Sequence, residues 1–329
     1  MIESSISVCF AFNGDADGLI SQHLLELSGI LPSFRVTGLK REIVLLEQLP
    51  RLKTASVYVF DISLDVNRSG LMNLLENPEV EVIWFDHHEA GAIPDSPRLK
   101  AHILNARGTC TALIVHTEFP GLDPRWAAMA AFGDNLPEAG EALLRPLNIS
   151  GAESTVLREA GELLNYNAYG ETVEDVLFHP LEIAKRLSRF NDPLLFIRES
   201  GFFEPLREQL HKDESNLNAI VPEEEKANAK IYRLPCESWA RRMGAIFANR
   251  FALKNPDCAI GVLHLLSNGD YQVSIRSPRN DRAGVFAPAS DLAREFPTGG
   301  GRALAAGINR LPSEAVSNFK KRFFELYAP

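Results

Sequence analysis

The segment Asn13-Gly14-Asp15-Ala16-Asp17-Gly18 sets two carboxylates two residues apart, between glycines, directly after an apolar run. The arrangement recurs along the chain. SVYVF at 56–60 stops at Asp61, EVIWF at 81–85 stops at Asp86-His87-His88, and WAAMAAF at 126–132 stops at Gly133-Asp134-Asn135. Any one of these acids alone reads as a turn former or helix N-cap. Gathered without partners, they would repel and raise one another's pKa. A pair of divalent cations removes that penalty. Carboxylate oxygen with imidazole nitrogen suits Mn2+, and two ions a few ångströms apart can clamp a phosphoryl group during hydrolysis. His87 and His88, adjacent on an extended chain, point to different sides, so one can ligate while the other faces substrate as donor or general acid.

Elements that place these groups together follow from the apolar pattern. Ile6–Phe12 (ISVCFAF), Ser56–Phe60 and Val80–Phe85 have the composition of buried strands, and LISQHLLEL after the NGDADG loop has helical spacing. Strands alternating with helical stretches predict βαβ units and a parallel sheet, on which ligands bind at the carboxyl ends of the strands. The expected fold is α/β: a parallel-sheet domain with flanking helices over residues 1–190, a helical and polar connector over 191–228, and a smaller α/β domain over 229–329. That last region reads as strand AKIYRL, helix SWARRMGAIFANRF, strands CAIGVLHLL and YQVSIRS, helix FAPASDLAREF, the run TGGGRALAAG, and a closing helix. Glu223–Glu225 reads as a solvated charge run in the connector. Arg241-Arg242 and Lys320-Lys321-Arg322 read as solvated helix faces.

Composition limits the function classes. With 329 residues, 45% hydrophobic and 23% charged, the chain has the make-up of an ordinary globular protein with sizeable cores. Its formal net charge of −9 argues against a basic stripe that tracks long nucleic acid, while small anionic substrates stay compatible with a locally positive site. No apolar run approaches the ~18 residues of a membrane span, and the first residues lack a signal-peptide pattern, so a cytoplasmic protein is expected. Cys9, Cys110, Cys236 and Cys258 form no CxxC pair and read as small buried hydrophobes.

The ordered set GDADG, VFDIS, WFDHH and GDN resembles the four N-terminal motifs of the DHH phosphoesterase superfamily, which includes RecJ-like exonucleases, oligoribonucleases and pAp phosphatases, and family II pyrophosphatases. SIRS at Ser274–Ser277 and TGGGRALAAG at Thr298–Gly307 resemble its C-terminal DHH-associated domain, which argues against a pyrophosphatase. The resemblance implies roles residue by residue. Asp15 would ligate one metal and Asp17 the other, Asp61 would bridge them, and His87 with Asp134 would complete the second site. His88 would face the substrate phosphate and protonate the leaving group, with Asp86 behind the histidines. Asn13, Ser274, Arg276, Gly299, Gly300, Gly301 and Arg302 would line the substrate.

Taken alone, the glycine run reads equally as a flexible turn, and Arg276 as a salt-bridged surface arginine. Two departures stand out. Ala11 occupies the place of a histidine in many members, and Asn13 the place of an acid in RecJ-like ones, so the first metal site is expected to be weaker. Arg302 replaces a histidine. The implied activity is hydrolysis of short oligonucleotides or nucleoside phosphates by a water that two ions activate, Mn2+ preferred and Mg2+ the alternative. A RecJ-like single-strand exonuclease, or a nucleotide-binding or regulatory protein with an impaired site, are the competing expectations. No membrane or extended nucleic-acid partner is expected, and a homodimer stays open.

Overall fold

The structure, a computed structural model, describes residues 7–280 and 284–328. Ile6, expected to open the first strand, and the N-terminal residues before it lie outside the described residues. The chain divides into two compact units, the first ending at Glu208 and the second beginning at Gln209, inside the segment expected as a connector.

The first unit holds strands β1 (Val8–Asn13), β2 (Phe34–Gly38), β3 (Ala55–Phe60), β4 (Val80–Asp86) and β5 (Leu99–Ile103). Its helices are α1 (Ala16–Leu27), α2 (Arg68–Leu75), α3 (Thr111–Glu118), α4 (Pro124–Gly133), α5 (Pro137–Leu144), α6 (Gly151–Ala168), α7 (Pro180–Leu187) and α8 (Pro193–Glu199). The strands form an all-parallel sheet in the order β2-β1-β3-β4-β5. Strand order reverses between β1 and β3, which opens a crevice beyond their carboxyl ends. Asp15 follows β1 and Asp61 follows β3, so the topology alone brings them to that crevice. Both sheet faces are covered, which explains the near-continuous apolar strands. Cys9 and Ala11 of β1 pack on one face with Val57, Val82 and Trp84. Phe10 stands edge-on to Tyr58 and Phe60 at 5.6 and 5.4 Å.

The expected loop after β1 is shorter than its composition suggests. Asp15 caps α1, and Asp17 already lies in the first helical turn. Helix α4 approaches α6 so closely that a Cβ on Gly161 would sit 2.1 Å from the Met129 carbonyl oxygen. A Cβ on Gly133 would sit 2.5 Å from Cβ of Ala16 and 2.8 Å from the Gly161 oxygen. Contact of this kind, with no room for a methyl, fixes where α4 ends and therefore where Asp134 stands.

A long helix, α9 (Phe203–Asn218), runs across the boundary. The second unit contains β6 (Glu224–Lys226), β7 (Ala229–Leu234), α10 (Ser238–Lys254), β8 (Ala259–Leu265), β9 (Tyr271–Arg276), α11 (Ala289–Arg294), β10 (Gly299–Gly301), β11 (Ala305–Leu311) and α12 (Val316–Tyr327). Its sheet runs β10-β11-β9-β8-β7-β6, parallel only between β7 and β8. Val273 and Ile275 of β9 pack with Leu292, Ile308, Phe319 and Phe323.

Three charge readings are corrected here. Glu223–Glu225 is no solvated linker. Residues 224–226 pair with β7 as an edge strand, Glu223 accepts from Arg233 at 3.0 Å, and Lys320 donates to Glu223 at 2.9 Å and Glu224 at 2.7 Å. Lys320 is thus no solvated helix charge either. Arg242 is buried and donates twice to Asp213, at 2.8 and 3.0 Å, because a guanidinium enters a core only when a carboxylate accompanies it.

The α4–α6 contact is open to test. Gly161→Leu is expected to destabilise the protein by about 1–3 kcal/mol or more in urea unfolding. Gly121→Ala, where a Cβ meets nothing within 4 Å, should change stability by less than about 0.5 kcal/mol.

Candidate metal centre

Asp61 lies one residue past β3 with φ of 57°, in the left-handed region that few non-glycine residues occupy. Its amide donates to the Phe85 carbonyl at 3.1 Å, and the Trp84 indole donates to the next carbonyl, that of Ile62, at 3.1 Å. Strand β4 therefore holds the strained residue from both sides.

Beyond β4, the paired histidines depart from expectation. Their rings lie 4.5 Å apart, and both reach toward Asp61, at 3.3 Å from His87 Nε2 and 4.0 Å from His88 Nδ1. They share a side because β4 ends at Asp86, so the alternation of an extended strand no longer applies. Asp86 is fully buried. Its Oδ1 accepts from His88 Nδ1 at 2.7 Å and from the His87 amide at 2.8 Å, the supporting position the resemblance implies. His87 Nδ1 lies 3.2 Å from the Thr109 carbonyl oxygen, which can only accept. That bond fixes the tautomer and leaves Nε2 with its lone pair toward Asp61 and, at 4.0 Å, toward Asp17.

Asp17 is held by a feature absent from the sequence expectations. Its two oxygens accept from the Thr111 and Ala112 amides at 2.7 and 2.8 Å, at the start of α3. Unsatisfied N–H groups at a helix start complement a negative charge. The Thr111 hydroxyl donates to Asp61 at 3.3 Å. An apolar-periodic run that begins after GTC at 108–110 was the available signal for a helix start near these acids.

Asp15 is engaged differently. Oδ1 accepts from the Asp17 and Gly18 amides, both at 3.1 Å, and Oδ2 pairs with Lys40, another residue the sequence expectations missed. Lys40 lies just past β2, beside β1. Charged residues shortly after any strand of a parallel sheet were the cue. Asn13 Oδ1 accepts from the Asp15 amide at 3.2 Å, and Nδ2 donates to the Lys40 carbonyl at 3.4 Å, so its amide staples the loop.

The electrostatics reflect buried like charges. Burial, then Asp15, Asp17 and Asp86, push Asp61 well above the usual carboxylate range. Burial followed by Asp17 and Asp15 raises Asp134 to about 7. Burial also opposes ionisation of Asp15, but Lys40 and the Gly18 amide outweigh it and hold the carboxyl low. The bond to Asp86 raises His88, against a smaller effect of burial. Oxygen and nitrogen atoms of Asp17, His87 and Asp134 lie within 4.8 Å of one another, as do those of Asp61, His87 and His88. The donor set fits a divalent cation: one imidazole in the ligating tautomer, and carboxyls that otherwise retain protons. Among the described residues, Asp15 joins neither group.

The remaining sequence-predicted residues lie in the second unit, described by itself. Ser274 and Arg276 stand on β9, on the face opposite Val273 and Ile275. Ser274 pairs with Gly307, which pairs with Gly300, giving one row across three strands. Arg276 donates to Asn249 at 3.0 Å and to the Ile275 carbonyl at 2.9 Å, so the salt-bridge alternative does not describe it. The glycine run is an edge strand rather than a flexible turn. A Cβ at Gly299 would sit 1.8 Å from the Ala293 oxygen, Gly301 has φ of 134°, and Gly300 faces open space. Arg302 opens the tight turn to β11, its amide donating to Ala305 at 2.8 Å.

The raised carboxyls predict a pH dependence. Folded Asp61 and Asp134 keep protons that the unfolded chain releases near 3.8, so their contribution is complete below that value; the part due to Asp134 is lost as pH rises through about 7, and that of Asp61, also raised well above the usual range, is lost in the same direction. Metal-free protein should melt higher near ~pH 5 than near ~pH 8, and Mn2+ should raise the midpoint more at the higher pH. Differential scanning calorimetry with and without chelator reads both, and an equal Mn2+ effect at the two pH values would contradict the assignment.

No protein-family model matches the chain, and no curated protein matches it. Solved structures do. The crystal structure of exonuclease RecJ bound to manganese is similar with 18% identity and a TM-score of 0.63, covering 97% of this chain and 89% of its own. RecJ from Thermus thermophilus in complex with Mn2+ gives 20% and 0.61 over 98% of this chain, which spans about half (52%) of that longer protein. A pGpG-specific phosphodiesterase from Vibrio cholerae gives 14% and 0.56, covering 97% and 98%. These likenesses extend over nearly the whole chain and show that it shares the fold of these RecJ and phosphodiesterase structures.

Proposed function

We propose that this chain is a metal-dependent phosphoesterase acting on short oligonucleotides or small phosphorylated nucleotides. The observation that carries the proposal is the meeting of two chelating groups at His87, Asp17–His87–Asp134 and Asp61–His87–His88, in the crevice where strand order reverses. Asp17, Asp61, His87 and Asp134 would hold the ion, with Mn2+ preferred and Mg2+ the alternative. A divalent cation there supplies Lewis-acid polarisation of a phosphoryl oxygen and a more acidic water.

The chain's own groups do the rest. Helix α3 and Thr109 keep Asp17 and His87 oriented without reorganisation. His88, its Nδ1 bonded to Asp86 and its side chain 45% exposed, presents Nε2 as the proton donor to a leaving oxygen. In the second unit, described by itself, Arg276, whose Nη2 has no partner among the described residues, would with Ser274, Gly300 and Arg302 offer a place for an anionic group. Among the similar structures, one is described as an exonuclease and one as a pGpG-specific phosphodiesterase. The net charge of −9 favours the shorter substrates.

Chromatography of nucleotides released from pApA, pAp, a pentaribonucleotide and long single-stranded DNA tests this, with Mn2+ or Mg2+ supplied in turn. Mononucleotide from the short substrates, abolished in Asp61→Ala, is expected. Preferential digestion of long DNA would instead support the exonuclease, and no turnover alongside ion binding would support a binding protein. In the active case, His88→Ala should lower kcat by about 10²–10⁴-fold and change KM little.

A further inference from the structure

We infer that the Lys40 ammonium occupies the place of a first metal ion, so the centre takes one divalent cation per chain and uses a lysine as its second, permanent positive charge. The inference rests on the metal-dependent reading above and deepens it.

Both oxygens of Asp15 already have partners of positive character. Oδ1 is shared by two backbone amides and Oδ2 by Lys40. Lys40 is built into this position. Its Nζ donates to Asn165 Oδ1 at 3.0 Å and lies 5.5 Å from the centre of the Tyr169 ring. Its backbone amide donates to the Ala168 carbonyl at 3.2 Å, and its carbonyl accepts from Asn13. The nearby β1 positions offer an ion nothing better, although Asp61 stands in side-chain contact with Asp15. Ala11 is buried and carries no donor atom, and both ends of the Asn13 amide are spent on the backbone. Asp15 accordingly belongs to neither chelating group. A divalent ion set beside Asp15 would also meet the ammonium at contact range, where like charges in a buried site repel strongly.

A lysine differs from an ion in what it offers a substrate. It cannot acidify a water as a metal does, but it carries three N–H donors, of which Asp15 and Asn165 take two. With its side chain 26% exposed, the third is left for a phosphate oxygen. The centre would thus pair one exchangeable ion with one covalently attached cation, which dilution cannot remove.

Equilibrium dialysis with Mn2+ and electron paramagnetic resonance of the loaded protein test the inference without reading activity. Wild type should bind one ion per chain and show the hyperfine pattern of an isolated Mn2+. Asn13→Asp alone should stay at one. Asn13→Asp/Lys40→Ala, which restores a carboxylate and removes the ammonium, should double the stoichiometry and give an exchange-coupled spectrum. Inorganic phosphate should bind Mn2+-loaded Lys40→Met at least ~10-fold more weakly than wild type. Two coupled ions in wild type or in Asn13→Asp would overturn the lysine assignment while leaving the metal-dependent reading intact. So would a double variant that folds by circular dichroism yet stays at one ion, or unchanged phosphate affinity in Lys40→Met. Binding of no ion by wild type would instead remove the metal-dependent reading and the inference with it.

Discussion

Buried negative charge organises this protein. Asp15, Asp17, Asp61, Asp86 and Asp134 converge on one crevice, and the first four are almost entirely withdrawn from water. Two unit charges ~4 Å apart at an effective dielectric of ~20 interact by about 4 kcal/mol, so each carboxylate needs its own compensation. The structure supplies a different one to each. Lys40 balances Asp15, the first amides of α3 hold Asp17, and Asp86 accepts from His88 and the His87 amide. Asp61 and Asp134 are left undercompensated and respond by retaining protons. Those two are the carboxyls with most to gain from a cation.

The scaffold's constraints follow from that requirement. Parallel strands with both faces covered can deliver their ends to one edge, and reversal of strand order between β1 and β3 leaves space there. Strain at Asp61 persists because the backbone of β4 and the Trp84 indole hold the segment around it. Close approach of α4 and α6, with no side chain at Gly133 and Gly161, sets the position of Asp134 from the opposite direction. Positioning by packed strands and helices rather than long loops suits a site whose groups must hold their places before a substrate arrives.

In the second unit, sheet pairing does comparable work for a different purpose. The row Gly300–Gly307–Ser274 and the neighbouring Arg276 gather small residues and one guanidinium on adjoining strands. Burial works against the charge of Arg276, and the nearby Arg279 adds to that, so an anion there would relieve an existing electrostatic cost. Arg302 adds a second guanidinium just past β10.

Much of the site was legible in the chain itself. The acids and histidines stand where apolar runs stop, and the period of those runs already implied parallel strands with a shared edge. The sequence by itself determined which residues can do chemistry and the order in which strands deliver them. What it could not determine was which partners they meet. Lys40 reaches Asp15 across 25 residues and Asn165 across 125, and Thr111 meets Asp17 across 94. Local periodicity carries no record of such contacts. The side shared by the two histidines likewise depended on where β4 loses its pairing, and the glycine run became a strand only because β11 was there to pair with it. Tertiary structure decided how each buried charge is balanced, because that depends on strand order and helix packing rather than on neighbours in the chain.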